Sequence, residues 1–190
     1  MHDYPLRARC FEGSRVRESV RAVLFLGGSL GARTINNLAL RLAPKLLERD
    51  IAVIHQCGKH DFERVSAAYA ELQLQVELFD FSPNLIEAMS RADFAIARAG
   101  ASSLWELCAN GLPALFVPYP YAAKNHQFYN AEFLVKQNLA SLMCEDAIED
   151  SKMMEIICDS ALLCDRSTRL THIISPNGAH AIALRIAGGM

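Results

Sequence analysis

The 190-residue sequence lacks most of the patterns that mark common classes of binding protein and enzyme. Its six cysteines include no C-x-x-C pair, which excludes the usual ligand spacing of structural zinc sites. No apolar run approaches the roughly 18 residues that a membrane-spanning helix requires. Basic and acidic residues nearly balance, at 19 against 21, so the overall charge does not indicate a nucleic-acid partner or an anionic membrane surface. Any anion site must therefore be local.

The N-terminus also lacks the charged and then apolar pattern of a secretory signal. Several cysteines lie inside apolar runs, where a thiol packs as a small hydrophobe. These features predict a soluble cytosolic protein with reduced thiols. A chain of 190 residues, 52% of them hydrophobic, is long enough to bury roughly 70% of the surface that its unfolded form exposes, and one domain is expected.

What the sequence does contain is a regular alternation of apolar runs and helical patterns. Apolar, β-branched-rich runs occupy residues 23–26, 51–55, 93–97 and 114–117, with a weaker run at 75–79. Such runs are typical of parallel strands covered on both faces. Helical patterns occupy residues 61–72, 84–91, 102–110 and 127–138, and the tail from Ile148 onward shows helical patterns only. The alternation predicts an α/β fold with a doubly wound parallel sheet.

The first helix of this pattern carries a proline. Ile35, Leu38, Leu42 and Leu46 recur at helical spacing and mark one apolar face. Pro44 lies inside the pattern and lacks a backbone N–H, so we expect it to kink or shorten the helix.

The first twenty residues do not share the alternation. Residues 1–20 contain Pro5 and several arginines, and we expect an arm or interdomain connector outside the core. The remaining residues, 21–190, would form the domain. Ligands of doubly wound sheets bind beyond the carboxyl ends of the strands, where strand order reverses, so functional residues are expected directly after the apolar runs.

A glycine-rich turn follows the first apolar run. Gly27, Gly28 and Gly31 lie between strand and helix, where a missing Cβ lets backbone N–H groups approach a ligand closely. The helix start adds unpaired N–H donors and a positive dipole end, which favour a phosphate, and Ser29 adds a hydroxyl. The spacing is neither that of a Walker loop nor G-x-G-x-x-G. A tight turn without a ligand is the alternative.

A second segment, residues 98–131, has a similar layout. Gly100 follows a predicted strand, and Ser102 or Ser103 is expected to cap a helix that Gly111 ends. Glu106 falls one turn into this helix, where a carboxylate can accept two hydrogen bonds from a vicinal diol such as a ribose. The alternative is that Glu106 only complements the helix dipole.

Polar side chains gather at the start of the next helix. His126, Gln127 and Asn130 follow a loop that contains Pro118 and Pro120. Amide and imidazole groups offer donors and acceptors in a small space, as sugar hydroxyls require. These residues would face the same edge of the sheet as the two glycine turns, which favours ligand contact over a purely structural role.

These stretches together resemble a known family. The stretch GGSLGA, followed by ARAGASSLWELCANGLPALFVPYPYAAKNHQFYNA, is similar to the C-terminal, donor-binding half of the MurG family. That family transfers N-acetylglucosamine from UDP-N-acetylglucosamine to lipid I, which gives lipid II. The resemblance covers nearly the whole chain and implies one half of a glycosyltransferase B fold, with a Rossmann-like sheet. It implies that residues 1–20 are an interdomain linker and residues 21–190 the UDP-sugar-binding domain.

The resemblance also implies roles for residues around the nucleotide. Ser29 and Ser103 would lie beside the diphosphate. Arg7, in the stretch YPLR, would pair with the same phosphates. Glu106 would bind the ribose hydroxyls.

Further roles implied by the resemblance concern the base and the sugar. Backbone groups near Phe81 and Ser82 would hold the uracil. His126 and Gln127 would contact the hydroxyls of N-acetylglucosamine, with Asn130 nearby.

The resemblance implies that no catalytic residue lies in this half. The base and the lipid-binding face would belong to an N-terminal half, so this chain alone is predicted to bind donor but not to transfer sugar. No cofactor or metal is expected, and the sequence contains no D-x-D pair. The implied partners are UDP-N-acetylglucosamine, lipid I through the N-terminal half, and the inner face of the cytoplasmic membrane, where the full-length protein would be peripheral. The product would have inverted configuration.

Two alternatives from other functional classes remain open at this point. A nucleotide-sugar epimerase of related fold would also contain glycine turns and a glutamate at a helix start, although the segment HQFYNA favours the transferase. A non-catalytic fragment that binds a nucleotide sugar is the second alternative.

Overall fold

The computed structural model describes residues 4–28, 31–82 and 84–188. Within these residues the chain forms one sheet of six parallel strands, in the order β3-β2-β1-β4-β5-β6. The strands are β1 (Ala22–Leu26), β2 (Ala52–Gln56), β3 (Glu77–Phe79), β4 (Phe94–Ala97), β5 (Ala114–Phe116) and β6 (Ser141–Leu142). The predicted doubly wound parallel sheet is confirmed, and the strand order reverses between β1 and β4.

Helices connect the strands and continue beyond the last one. They are α1 (Arg9–Glu12), α2 (Arg33–Leu47), α3 (Phe62–Glu71), α4 (Leu85–Arg91), α5 (Ala101–Ala109), α6 (His126–Val135), α7 (Asp150–Cys158), α8 (Ser160–Leu170) and α9 (Gly178–Ala187). Short 3-10 turns occupy Lys59–Asp61, Ala123–Asn125 and Glu145–Ala147. Among the described helices, none is long and apolar enough to cross a membrane.

The sheet separates two hydrophobic cores. Successive side chains of a strand point to opposite faces. On β1, Val23 and Phe25 therefore pack with α2, α3 and α7, whereas Leu24 and Leu26 pack with α4, α5 and α6. All four side chains are buried, which explains why the strand is apolar throughout.

Helix α2 is longer than its proline suggested. It runs for 15 residues and continues past Pro44 to Leu47, so the expected shortening is wrong. Leu42, Ala43 and Leu46 are fully buried on either side of the proline. Burial of this apolar face stabilises the last turn despite the missing backbone donor.

The segment before β1 packs against the domain more closely than expected. Cys10 and Arg17 are buried, so the expectation that these residues lie outside the core is wrong. The Arg17 guanidinium donates to the carbonyls of Met89, Ala92 and Asn110, which lie at or near the C-terminal ends of α4 and α5. A cation is favourable there because helix carbonyls without intrahelical partners point toward it.

Candidate functional site

A cleft of about 660 Å³ opens at the carboxyl ends of β1 and β4. Ligands of doubly wound sheets bind at this position. The connections that follow the two neighbouring strands run to opposite faces of the sheet where the strand order reverses, and this leaves a crevice between them. The residues that line it include Gly28, Thr34, Arg98, Ser103, Gln127 and Glu145. The cleft therefore joins the glycine turn after β1 to the starts of α2, α5 and α6.

Two residues of the glycine turn have backbone conformations that favour glycine. Gly28 has a φ of +76° and Gly31 a φ of +85°, both in the region that favours glycine. A Cβ on Gly31 would lie 2.7 Å from the carbonyl oxygen of Cys57, so this position is also closed to larger residues by space. Ser29, predicted to contact phosphate, lies outside the described residues.

A buried polar network packs next to the glycine turn. The side-chain amide of Asn36 donates to the carbonyl of Cys57 at 2.9 Å and to Asp61 Oδ2 at 2.7 Å. Its Oδ1 lies 3.1 Å from His55 Nε2, and His55 Nδ1 lies 3.0 Å from the Tyr69 hydroxyl. Because both amide hydrogens of Asn36 are used, its oxygen must accept from Nε2–H of His55, and Tyr69 donates to Nδ1.

Burial and hydrogen bonding fix the protonation state of this network. His55 is fully buried, and burial lowers the pKa of its imidazole to about 3, so the ring is neutral. The pKa of Asp61 falls to about 2, chiefly because the Arg64 side chain donates hydrogen bonds to it. The network thus holds the end of β2 and the first turn of α2 together next to the glycine turn.

The second helix start differs in one detail from the prediction. Helix α5 begins at Ala101 after Gly100, and neither Ser102 nor Ser103 caps it, so the predicted serine cap is wrong. Gly100 has the extended backbone of an N-cap residue, so the helix begins after it without a side-chain acceptor. Ser103 instead lies in the first turn and lines the cleft.

The polar residues of α6 are placed at its start, as predicted, but they contact the protein in different ways. Gln127 lines the cleft, and its Oε1 accepts a hydrogen bond from the backbone N–H of Tyr119 at 3.0 Å. The Asn130 amide donates to the carbonyl of Ala99 at 3.1 Å. His126 is exposed, with Nδ1 2.9 Å from the carbonyl of Ala123. The structure therefore brings Gln127, but neither His126 nor Asn130, to the wall of the cleft.

A second pocket, of about 410 Å³, adjoins the cleft through Leu85, which lines both. It brings Arg7, Ser82 and Glu106 together beside Phe81. Burial raises the pKa of the Glu106 carboxyl, and the positive charge of Arg7 opposes that rise. Three predicted site residues from distant parts of the sequence thus share one pocket.

An ion pair inside the cleft was not predicted from the sequence. Arg98 forms a salt bridge with Glu145, and the Thr34 hydroxyl donates to Glu145 Oε1 at 2.9 Å. Arg98 directly follows the apolar run 93–97, so the rule that functional residues follow such runs could have found it. Glu145 carried no comparable signal because it follows β6, a two-residue strand that the sequence analysis also missed.

Comparison with known proteins identifies the family. Residues 22–165 match the glycosyltransferase family 28 C-terminal domain. The chain belongs to glycosyltransferase family 28. The family 28 match covers the whole sheet and the helices from α2 to α7.

Curated relatives extend this match to the MurG family. The chain is 51% identical over 176 residues to the UDP-N-acetylglucosamine--N-acetylmuramyl-(pentapeptide) pyrophosphoryl-undecaprenol N-acetylglucosamine transferase of Campylobacter jejuni (strain RM1221), covering 93% of this chain and 51% of that protein. The identically named Wolinella succinogenes protein is 51% identical over 157 residues, covering 83% of this chain and 47% of that protein. The family 28 chain thus spans about half the length of these relatives.

Solved structures agree with this assignment. MurG from Acinetobacter baumannii superposes with a TM-score of 0.75 at 27% identity, over 95% of this chain and 56% of that one. The calicheamicin glycosyltransferase matches with a TM-score of 0.65 at 19% identity, over 90% of this chain and 43% of that one, which shows a shared fold. The resemblance to the C-terminal half of the MurG family is confirmed.

Proposed function

We propose that this family 28 chain binds UDP-N-acetylglucosamine and forms the donor half of an inverting transferase that converts lipid I to lipid II. The observation that carries the proposal is the pairing of two pockets at the switch point of the sheet. One is lined by two glycine turns and the starts of three helices, and the other contains Glu106 and Arg7. An elongated ligand with an anionic centre and a diol fits this arrangement.

The diphosphate would occupy the cleft beside the glycine turn. Gly28 leaves the backbone open, with nothing within 4 Å of the position of a Cβ, so a phosphate can approach closely. The starts of α2 and α5 add N–H donors and positive dipole ends. Ser29 and Ser103 would donate hydroxyls, and Arg7 would offset charge from the adjoining pocket. No metal ion is needed for these contacts.

The nucleoside would occupy the adjoining pocket. Glu106 would accept hydrogen bonds from both ribose hydroxyls, a role that requires the charged carboxylate. Backbone groups near Phe81 and Ser82 would hold the uracil. Support comes from the placement of Ser82 and Glu106 in the same pocket.

The sugar would lie toward α6. Gln127 lines the cleft and would contact a hydroxyl directly, through the amide nitrogen that its bond to Tyr119 does not use. His126 and Asn130 would complete the recognition of N-acetylglucosamine. Since Asn130 donates to Ala99, it also fixes the loop that leads into α5.

In a complete transferase this half would stabilise the leaving group. Helix dipoles and Arg7 would offset the charge that grows on UDP while a base elsewhere removes the proton from the acceptor hydroxyl. Lipid I would be contacted by an N-terminal half, at the inner face of the cytoplasmic membrane. The family match favours this function over an epimerase.

Isothermal titration calorimetry of this chain tests the proposal. UDP-N-acetylglucosamine should bind saturably and more tightly than UDP-glucose, and Glu106→Ala should weaken binding. Glu12→Ala, which removes an exposed carboxylate of α1, is the matched control and should leave the affinity unchanged. Equal affinity for the two sugars, or no binding of either, would contradict the proposal.

A further inference from the structure

A carboxylate already occupies the helix start at which the proposed diphosphate would bind. Thr34 is the second residue of α2, and its hydroxyl donates to Glu145 Oε1 at 2.9 Å. Both residues line the cleft. The N-terminal end of a helix attracts anions, and here part of that attraction is satisfied by a side chain of the protein itself.

The same carboxylate neutralises a cation of the cleft. Arg98 pairs with Glu145, donates to the carbonyls of Val117 and Pro118 at 3.0 Å each, and lies over the ring of Tyr119 at 5.5 Å. The side chains of Arg98 and Glu145 are only 16% and 28% exposed. Their charges are therefore less screened than those of a surface pair, and a ligand in the cleft is influenced by both.

We propose that Glu145 is a specificity-determining residue that lowers the affinity of the cleft for the free nucleoside diphosphate more than for the sugar-linked donor. This inference rests on the proposed function. In the donor, the sugar esterifies the terminal phosphate. In the free diphosphate, that phosphate has a second ionisation near pH 6 and carries almost one additional negative charge at neutral pH. The carboxylate repels this additional charge, which would favour release of the product.

The size of the effect follows from Coulomb's law. One additional charge at roughly 7 Å from the carboxylate changes the affinity by about threefold at the dielectric constant of water and about fiftyfold at an effective value near 20. Loss of the carboxylate also leaves Arg98 uncompensated, which acts in the same direction. We therefore expect a shift in selectivity of at least about threefold.

The experiment compares the affinities of UDP and UDP-N-acetylglucosamine for the wild-type chain and for Glu145→Gln at pH 7.5 and one ionic strength. The variant should bind UDP more tightly, and its ratio of UDP to donor affinity should exceed the wild-type ratio by at least about threefold. Thr34→Val removes only the hydroxyl that holds the carboxylate at α2, and should shift the ratio in the same direction by a smaller factor.

Two control variants isolate the charge inside the cleft. Asp146→Asn removes the same charge from the next, exposed residue of the same turn and should leave the ratio unchanged. Glu145→Asp retains the charge and should keep the ratio near that of the wild type. Thermal unfolding of each variant confirms that it is folded before titration.

The outcomes separate this inference from the proposed function. If the wild-type chain binds neither ligand, the proposed function fails, and this inference fails with it. If the wild type binds the donor but the ratio is unchanged in Glu145→Gln, only the inference about Glu145 is overturned. A shift of equal size in Asp146→Asn would also overturn it, because a general charge effect would then suffice.

Discussion

At the scale of a single residue, the ligand-binding role proposed for Glu106 conflicts with stability. Glu106→Gln should weaken binding of the donor by roughly 10- to 100-fold, because a charge-assisted hydrogen bond contributes about 1.5–3 kcal/mol. The same change should raise the thermal midpoint at neutral pH. Burial raises the pKa of this carboxyl, so its ionisation opposes folding as the pH rises through that pKa. Calorimetric titration and thermal unfolding measure the two effects.

The gain in stability should disappear at lower pH, where the wild-type carboxyl is protonated and resembles the amide. Glu12→Gln, at an exposed position of α1, should change neither quantity. A thermal midpoint that falls in Glu106→Gln at neutral pH would contradict this account.

His55 should make the free energy of unfolding depend on pH with a sign opposite to that of Glu106. Its pKa is lowered to about 3 in the folded state, whereas an unfolded histidine titrates near 6.5. Below pH 6.5 this histidine is therefore protonated in the unfolded chain but remains neutral in the folded chain. The free energy of unfolding should for that reason fall by up to about 1.4 kcal/mol per pH unit below pH 6.5. Denaturant unfolding at pH 7.5, 6.0 and 5.0 measures this slope.

Replacement of the His55 imidazole tests whether this residue causes the pH dependence. His55→Gln should reduce the slope by about one proton, although it destabilises the network at every pH. His60→Gln, at an exposed histidine on the same connection after β2, should retain the wild-type slope. Identical slopes in the wild type and His55→Gln would exclude His55 as the cause.

Local patterns predicted those site residues that follow a strand or begin a helix. Gly28, Ser103 and Gln127 line one cleft because the carboxyl ends of parallel strands meet at one edge of the sheet. Arg98 also follows a strand, but its pairing with Glu145 could not be found from such patterns. It depends on how the loops after β4 and β6 approach each other, which no periodic pattern records.

At the scale of the element, a buried arginine helps to hold the segment before β1 against the domain. Burial lowers the pKa of Arg17 to about 9, so the side chain is charged at neutral pH. Arg17→Leu would leave carbonyls of Met89, Ala92 and Asn110 without this donor, and should lower the free energy of unfolding by about 2–4 kcal/mol. Denaturant unfolding measures the loss.

An exposed arginine provides the comparison. Arg21→Leu replaces a solvent-exposed side chain directly before β1, and should change stability by less than about 0.5 kcal/mol. Similar losses in both variants would show that the buried hydrogen bonds of Arg17 contribute little.

The elements themselves were largely predictable. Four largely apolar runs became the central strands, because burial on both faces of the sheet selects apolar residues at most positions. Two features depended on tertiary contacts instead. Helix α2 continues past Pro44 because its apolar face is buried, and β6 is only two residues long and half-buried, which leaves no recognisable pattern.

At the scale of the whole molecule, we predict that this polypeptide binds donor without transferring the sugar. Displacement at the anomeric carbon requires a base on the acceptor as well as stabilisation of the departing diphosphate. The family 28 relatives are about twice as long as this chain. Incubation with UDP-N-acetylglucosamine and lipid I, followed by separation of the lipids, should show no lipid II. Turnover at a rate that scales with protein concentration would refute the prediction.

The two hydrogen bonds from α6 to the neighbouring loops have a thermodynamic consequence. Gln127 holds the backbone of Tyr119 and Asn130 holds that of Ala99, so the loops beyond β5 and β4 are fastened by side chains of the protein itself. Their conformational entropy is given up during folding rather than on ligand capture. Donor binding then orders little additional chain, and its heat-capacity change should reflect only the surface that the ligand covers.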